Sequence, residues 1–304
     1  METKYIGNTS TLVMRAFLVM ILLFSSFVSV PVFAQSSDDV KIMFKQANEH
    51  FVKGEYNQAI VIYDDILEIF PNNISTLKMK AIALSNSGYH EKSLKEFFKI
   101  LQYQPDDITA LTGMGVGFGN LGEYQEAKYY FEKAMLLNPS DKEIQTNLGF
   151  AQKMAIDDIK VIPKVGFHKI IQDFTSNYHY DTWAWIAVGF AFLFLLFFIG
   201  YYFSQTTLLK RIFFIGMFVI LLGIMLSAAA GIYEKMHYEN EKIAIVFSEI
   251  VSVKSEPKNS SPDAFVLHEG TKVYILESIA NWKKIELTDE TTGWIEASAL
   301  KELK

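Results

Sequence analysis

Four patterns of apolar and polar positions follow one another along the chain. Arg15 precedes an apolar run from Ala16 to Phe27, which closes on the small-residue ending Val32-Phe33-Ala34. This is the layout of a signal peptide over 1–34, with cleavage expected after Ala34 and a possible alternative start at Met14. From there to about residue 157 the apolar positions recur at helical spacing. Two runs without a charged residue come next, Trp183 to Phe203 and Ile212 to Tyr233. At 1.5 Å per residue each reaches about 31–33 Å, enough to cross the hydrocarbon of a bilayer. From Lys242 onward the period shortens to β-branched runs of three or four residues separated by turn residues.

The helical stretch repeats itself. Gly54, Gly88 and Gly122 are 34 residues apart, as are Pro71, Pro105 and Pro139, and the series Tyr63, Phe97, Phe131 and Ala59, Ser93, Ala127 keep the same step. Such a period predicts stacked helix pairs, each unable to bury its apolar face alone. Three repeats and a capping helix from Asp141 to about Ala155 account for 38–157, and 158–182 is expected to be a linker. Gly54-Glu55-Tyr56-Asn57-Gln58-Ala59 and Gly122-Glu123-Tyr124-Gln125-Glu126-Ala127 resemble the turn and second-helix start of the tetratricopeptide repeat. The resemblance implies a concave side lined by first helices. It places there Asn48, Lys78, Ser85, Asn86, Asn120 and Asn147, which could hydrogen-bond an extended peptide or simply be solvated. It also puts Phe44 where carboxylate-binding members carry lysine, so recognition of a peptide C-terminus is not expected.

The two uncharged runs predict a transmembrane hairpin, 183–203 and 212–233, joined by the loop 204–211. Lys210 and Arg211 put that loop on the cytoplasmic side, so both flanking regions face the exterior. Gly223, Ser227 and Gly231, with Ala187 and Ala191 on the first span, form small-residue positions for close helix packing, within the hairpin or against another membrane subunit. Neither span holds an Asp, Glu, Lys, Arg or His, which argues against an ion or proton pathway.

In the last segment, 242–304, six strands are expected: Ala244–Phe247, Val251–Lys254, Ala264–Leu267, Lys272–Ile275, Lys284–Leu287 and Gly293–Ile295. Turns are expected at Glu256-Pro257, Glu269-Gly270, Ala280-Asn281 and Asp289-Glu290. The order of these runs resembles the bacterial SH3-like barrel, a small all-β fold. In that family Trp282 and Trp294 would be candidate contacts for peptides or wall material, or else core residues.

Composition adds exclusions. Half the residues are apolar and 20% are charged, rich for a soluble protein, and the net charge of −6 with no basic run gives no footprint for nucleic acid. The absence of cysteine removes disulfides, thiolate metal sites and a thiol nucleophile. The six histidines lie at no metal-ligand spacing, no hydrolase motif is present, and no cofactor is expected. Gly113-Met114-Gly115-Val116-Gly117-Phe118-Gly119 looks like a phosphate loop but has Phe118 where a dinucleotide fingerprint needs glycine. Each of these glycines weakens a helix by about 1 kcal/mol relative to alanine, so a soft first helix is expected in the third repeat.

Asp141-Lys142-Glu143-Ile144-Gln145-Thr146-Asn147-Leu148-Gly149, Trp183-Ala184-Trp185 and Ala244-Ile245-Val246-Phe247-Ser248 resemble the BatE family of Bacteroides aerotolerance proteins. That resemblance implies a non-enzymatic scaffold in the inner membrane, with repeats and barrel on the periplasmic side. Its implied partners are von Willebrand A-domain membrane proteins and a MoxR-type ATPase, with a part in oxidative-stress tolerance. The alternative is an envelope protein that binds peptidoglycan through the barrel.

Overall fold

The computed structural model describes residues 31–154 and 167–304. The signal peptide expected over 1–34 and the first part of the expected linker therefore lie mostly outside the described residues. The chain forms two compact units that divide between Gly88 and Tyr89.

The first unit contains α1 (Pro31–Val52), α2 (Tyr56–Ile69) and α3 (Ile74–Asn86). Its core joins Ala47, Ala59, Tyr63, Ile66 and Ala83, with Met43, Phe44 and Phe51 packed against them. In the second unit α4 (His90–Tyr103), α5 (Ile108–Leu121), α6 (Tyr124–Leu137) and α7 (Lys142–Lys153) continue the helix-pair pattern. Glycines stop the first helices by adopting positive φ, +79° to +82° at Gly54, Gly88 and Gly122, a region open to a residue without Cβ. The first helix of each following pair begins on a short polar side chain. Asn73 accepts from the Thr76 amide at 3.0 Å, Asp107 from Ala110 at 2.9 Å, and Asp141 from Glu143 at 2.9 Å and Ile144 at 3.3 Å. These caps satisfy amides that a helix start leaves without partners.

The expected linker contains a helix, α8 (Phe167–Thr175), which the spacing of Phe167, Ile170, Ile171 and Phe174 announces. After it come α9 (Tyr180–Phe203) and α10 (Thr207–Asn240), two helices long and apolar enough to cross a membrane. α9 begins three residues before its uncharged run and α10 extends beyond its run at both ends, so Lys210 and Arg211 lie near the start of α10 and only Ser204 to Thr206 connect the helices.

Seven strands follow: β1 (Ile243–Val246), β2 (Ile250–Lys254), β3 (Asp263–His268), β4 (Lys272–Ile279), β5 (Trp282–Glu286), β6 (Thr292–Glu296) and β7 (Leu300–Glu302). They form one antiparallel sheet in the order β3-β2-β6-β5-β4-β1-β7. Two expectations are corrected. The sheet is not closed, since β3 and β7 are its edges, and it has a seventh strand, three residues long, reached through the turn Ala297–Ala299. The core gathers Val246, Val253, Leu267, Val273, Ile275, Ile285, Leu287 and Ile295. Gly293 lets β6 approach β2, because a Cβ there would stand 2.4 Å from Val253 Cγ1.

Candidate protein-interaction surfaces

The polar residues expected on the repeats fall into two groups. Asn86 and Asn120, at equivalent repeat positions, are exposed, whereas Asn48, Lys78, Ser85 and Asn147 are half-buried. Asn48 is engaged within its own repeat: its Oδ1 accepts from the Tyr63 hydroxyl at 2.6 Å. Tyr63 is fully buried, and burial pushes its hydroxyl up to about 12. A phenol enclosed among apolar atoms needs such a partner, so the amide oxygen of Asn48 serves the fold. Phe44 packs its ring 6.0 Å from that of Tyr63 and belongs to the same core.

The glycines of α5 have a packing role. A Cβ on Gly113 would lie 2.3 Å from the Phe97 ring, on Gly115 2.5 Å from the Phe131 ring, and on Gly117 2.6 Å from Leu94. Side chains of α4 and α6 thus press directly on the α5 backbone. Only Gly119 has ordinary space, with Ala127 Cβ at 3.9 Å.

The largest feature that the sequence reading missed is a joint between α6 and the sheet. Lys128 donates from Nζ to the Gly270 carbonyl at 2.6 Å, and the Tyr129 hydroxyl donates to the Glu302 carbonyl at 3.2 Å. Lys272 forms an ion pair with Glu132 at 2.8 Å, with the two side chains 24% and 4% exposed. Burial pulls the Lys272 ammonium down, but the Glu132 carboxylate prevails and holds it above its usual value. Around these polar contacts Tyr129, Ile243, Ile245 and Leu303 are buried together, with Phe247 and Tyr274 alongside. The Lys301 ammonium lies over three rings, 4.1 Å from the Tyr129 centroid, 5.0 Å from Phe247 and 5.5 Å from Tyr130. Each such contact is worth about 0.5–2 kcal/mol, depending on desolvation. Burial lowers the Lys301 pKa, against the nearby Glu126 charge and with that of Lys133.

One sequence feature could have revealed this joint. Every residue of β1 is buried, Ile243 to Val246, because Ala244 and Val246 face the sheet core while Ile243 and Ile245 face α6. An unbroken apolar strand signals cover on both faces. A pocket of about 250 Å³ lies beside the joint, lined among others by Glu123, Tyr124, Gln125, Lys128 and Glu269. Among the described residues no group of histidines and carboxylates is placed to hold a metal ion.

In the helix hairpin aromatic side chains of one helix stand over glycines of the other. A Cβ on Gly223 would meet the Phe190 ring at 3.3 Å, on Gly231 Trp183 Cβ at 3.3 Å, on Gly216 the Phe197 ring at 2.3 Å, and on Gly200 the Phe213 ring at 2.8 Å. Ser227 is buried and returns its hydroxyl to the Gly223 carbonyl. Ala187 is half-buried and Ala191 exposed. Gly200 and Gly216 were not singled out in the sequence, because they lie off the four-residue stripe. At the start of the first apolar run the Trp183 indole donates to the Thr175 carbonyl at 3.0 Å, and the Thr175 hydroxyl donates to Glu234 at 2.5 Å. Of the two tryptophans in the sheet, Trp294 is buried and Trp282 half-buried.

Comparison with known proteins concerns the repeats. The tetratricopeptide-repeat family model matches residues 110–141. No curated protein matches the chain. Among solved structures, the Arabidopsis OM64 TPR domain is similar at 18% identity, covering 38% of this chain and 96% of that one, with a TM-score of 0.37. The first TPR domain of human RPAP3 is similar at 19% identity over 38% and 91%, with a TM-score of 0.36. The Sgt2 TPR domain from Aspergillus fumigatus is similar at 21% identity over 43% and 93%, also at 0.36. With the 34-residue period and the helix pairs, the family match makes this a chain that contains tetratricopeptide repeats.

Proposed function

We propose that this protein is a two-pass membrane scaffold of a bacterial cell envelope, holding its repeats and C-terminal sheet on the extracytoplasmic side to gather other envelope proteins. The reading rests chiefly on one observation. A repeat of a protein-binding type is carried in the same compact unit as two helices long and apolar enough to cross a bilayer. Charge agrees with that orientation, since Lys210 and Arg211 lie at the short connection and the positive-inside rule places them in the cytoplasm. The resemblance to the BatE family adds the class of partner: von Willebrand A-domain membrane proteins and a MoxR-type ATPase, acting together in tolerance of oxidative stress. No catalytic residue is assigned. Asn86 and Asn120 are the best placed of the polar repeat residues to meet a peptide backbone, being exposed at equivalent positions.

Crosslinking in native membranes, mild detergent extraction and mass spectrometry test this proposal. The expected result is stoichiometric recovery of A-domain membrane proteins, weakened by Gly223→Leu or Lys78→Glu. Recovery of muropeptides without a stoichiometric protein partner would overturn it in favour of wall binding.

A further inference from the structure

We propose that the C-terminal sheet serves as an internal bracket, which fixes the third repeat to the outer end of α10. Both attachments are built from specific chemistry. Toward the repeat, the sheet offers the Gly270 carbonyl to Lys128, the Glu302 carbonyl to Tyr129 and the Lys272 ammonium to Glu132. Toward α10, Lys304 donates to the Tyr238 carbonyl and, at 3.2 Å, to the Glu241 carbonyl, while its ammonium lies 3.6 Å from the Tyr238 ring centroid. Only Glu241 and Lys242 separate α10 from β1, and the Lys242 carbonyl is itself held by the Ile275 amide at 2.7 Å. Almost no slack is left in the connection.

The repeat side is specialised for this use. Where the third repeat has Lys128, Tyr129 and Glu132, the second has Leu94, Lys95 and Phe98, and the first has Ile60, Val61 and Asp64. Val61 and Phe98 are exposed, at 60% and 52%, whereas Lys128, Tyr129 and Glu132 are buried. A buried charge is tolerated only when paired, so Glu132 and Lys272 each depend on the other. The first repeat also has an acid at this position, but the Asp64 side chain is half exposed and pairs with Lys80 at 2.7 Å. The bracket sets the attitude of the third repeat relative to the hairpin, and its role is positional.

The absence of cysteine allows a direct test in the full chain in detergent micelles. Spin labels on cysteines placed at the exposed positions Lys142 and Ser278 report the distance between repeat and sheet by pulsed electron resonance. One narrow distance distribution is expected. It should broaden in Glu132→Lys and in Lys272→Glu, and narrow again when both substitutions are combined. Hydrogen exchange of the Ile243–Val246 amides should rise at least tenfold in the single variants and return in the double. A broad distribution in the otherwise unchanged chain would overturn the bracket, and so would single reversals that leave the distribution narrow. A double variant that keeps its helicity but stays broad would overturn the part assigned to the ion pair.

Discussion

Alanine substitution along α5 separates two opposite effects of the same change. In a helix, alanine is favoured over glycine by about 1 kcal/mol, so every glycine of α5 should gain from it if space allows. At Gly119 space does allow it, since the nearest atom to an added Cβ is 3.9 Å away. At Gly115 the Cβ would stand 2.5 Å from Phe131 Cε1 and 2.6 Å from Cδ1, and at Gly113 2.3 Å from Phe97 Cε2 and Cζ. Neither ring can swing clear, because Phe97 and Phe131 are 2% and 3% exposed. Overpacking of a filled core costs about 1–3 kcal/mol, and contacts this short fall at the upper end. The net expectation is a loss of about 1–2 kcal/mol at Gly113 and Gly115 and a gain of about 1 kcal/mol at Gly119. Native-state hydrogen exchange of the α5 amides reads these values locally, without assuming that the whole chain unfolds in one step. Exchange should be about 5–30-fold faster in Gly113→Ala and Gly115→Ala and about fivefold slower in Gly119→Ala. If Gly115→Ala slows exchange as Gly119→Ala does, the rings do not press on the α5 backbone and the reasoning fails.

Other expectations follow the same logic. Asp141→Ala should cost about 1 kcal/mol by freeing two amides of the first turn of α7, seen as faster exchange at Glu143 and Ile144, while Asp141→Asn should retain the cap. In the hairpin, Gly216→Ala and Gly231→Ala should lower the Tm of the detergent-solubilised protein, whereas Gly189→Ala, with nothing within 4 Å, should leave it unchanged. Lys272 has a native pKa above its ordinary 10.5, so its ion pair stabilises the joint fully below that value and is lost as pH rises through the higher native value. The label distance between repeat and sheet should therefore hold from about pH 6 to 9 and loosen only in strongly alkaline solution, with Glu132→Gln abolishing that alkaline transition.

The repeats were legible because their glycines, prolines and caps recur in register, and each answers a local backbone requirement. The apolar helices were legible because length and hydropathy alone define them. The packing role of the α5 glycines escaped for a physical reason: propensity gives the intrinsic weakness of a glycine helix, but the rings that need the missing side chains lie 16 residues away in each direction, at Phe97 and Phe131. β7 escaped because three residues show no alternation. The joint escaped because its partners, Lys128 with Gly270 and Glu132 with Lys272, are about 140 residues apart and depend on tertiary placement. Yet the Ile243 to Val246 run broke the alternation expected of a half-solvated strand, and Lys128, Tyr129 and Glu132 broke the pattern of the repeats. Taken together, two irregularities of opposite kind were a recoverable sign of contact.

The use made of the sheet bears on the choice between scaffold and wall binder. A module that grips wall material needs aromatic faces open to solvent. Here Phe247 and Tyr274 are half-buried in the joint beside Tyr129 of α6, β1 is covered on both faces, and Trp294 is buried. Half-buried Trp282 is the aromatic contact from the sequence reading that stays partly accessible. The edge strand β7 is engaged at two points, where the Glu302 carbonyl accepts from Tyr129 and Lys301 lies over the ring of Tyr129. The sheet thus turns one face of β1 and part of β7 toward the rest of its own chain, while Ile250, Val266, Leu276 and Ile279 stay exposed elsewhere on it. In the bracket proposed above, these contacts serve to hold the third repeat against the end of α10, as the proposed scaffold requires to present a partner at a set position.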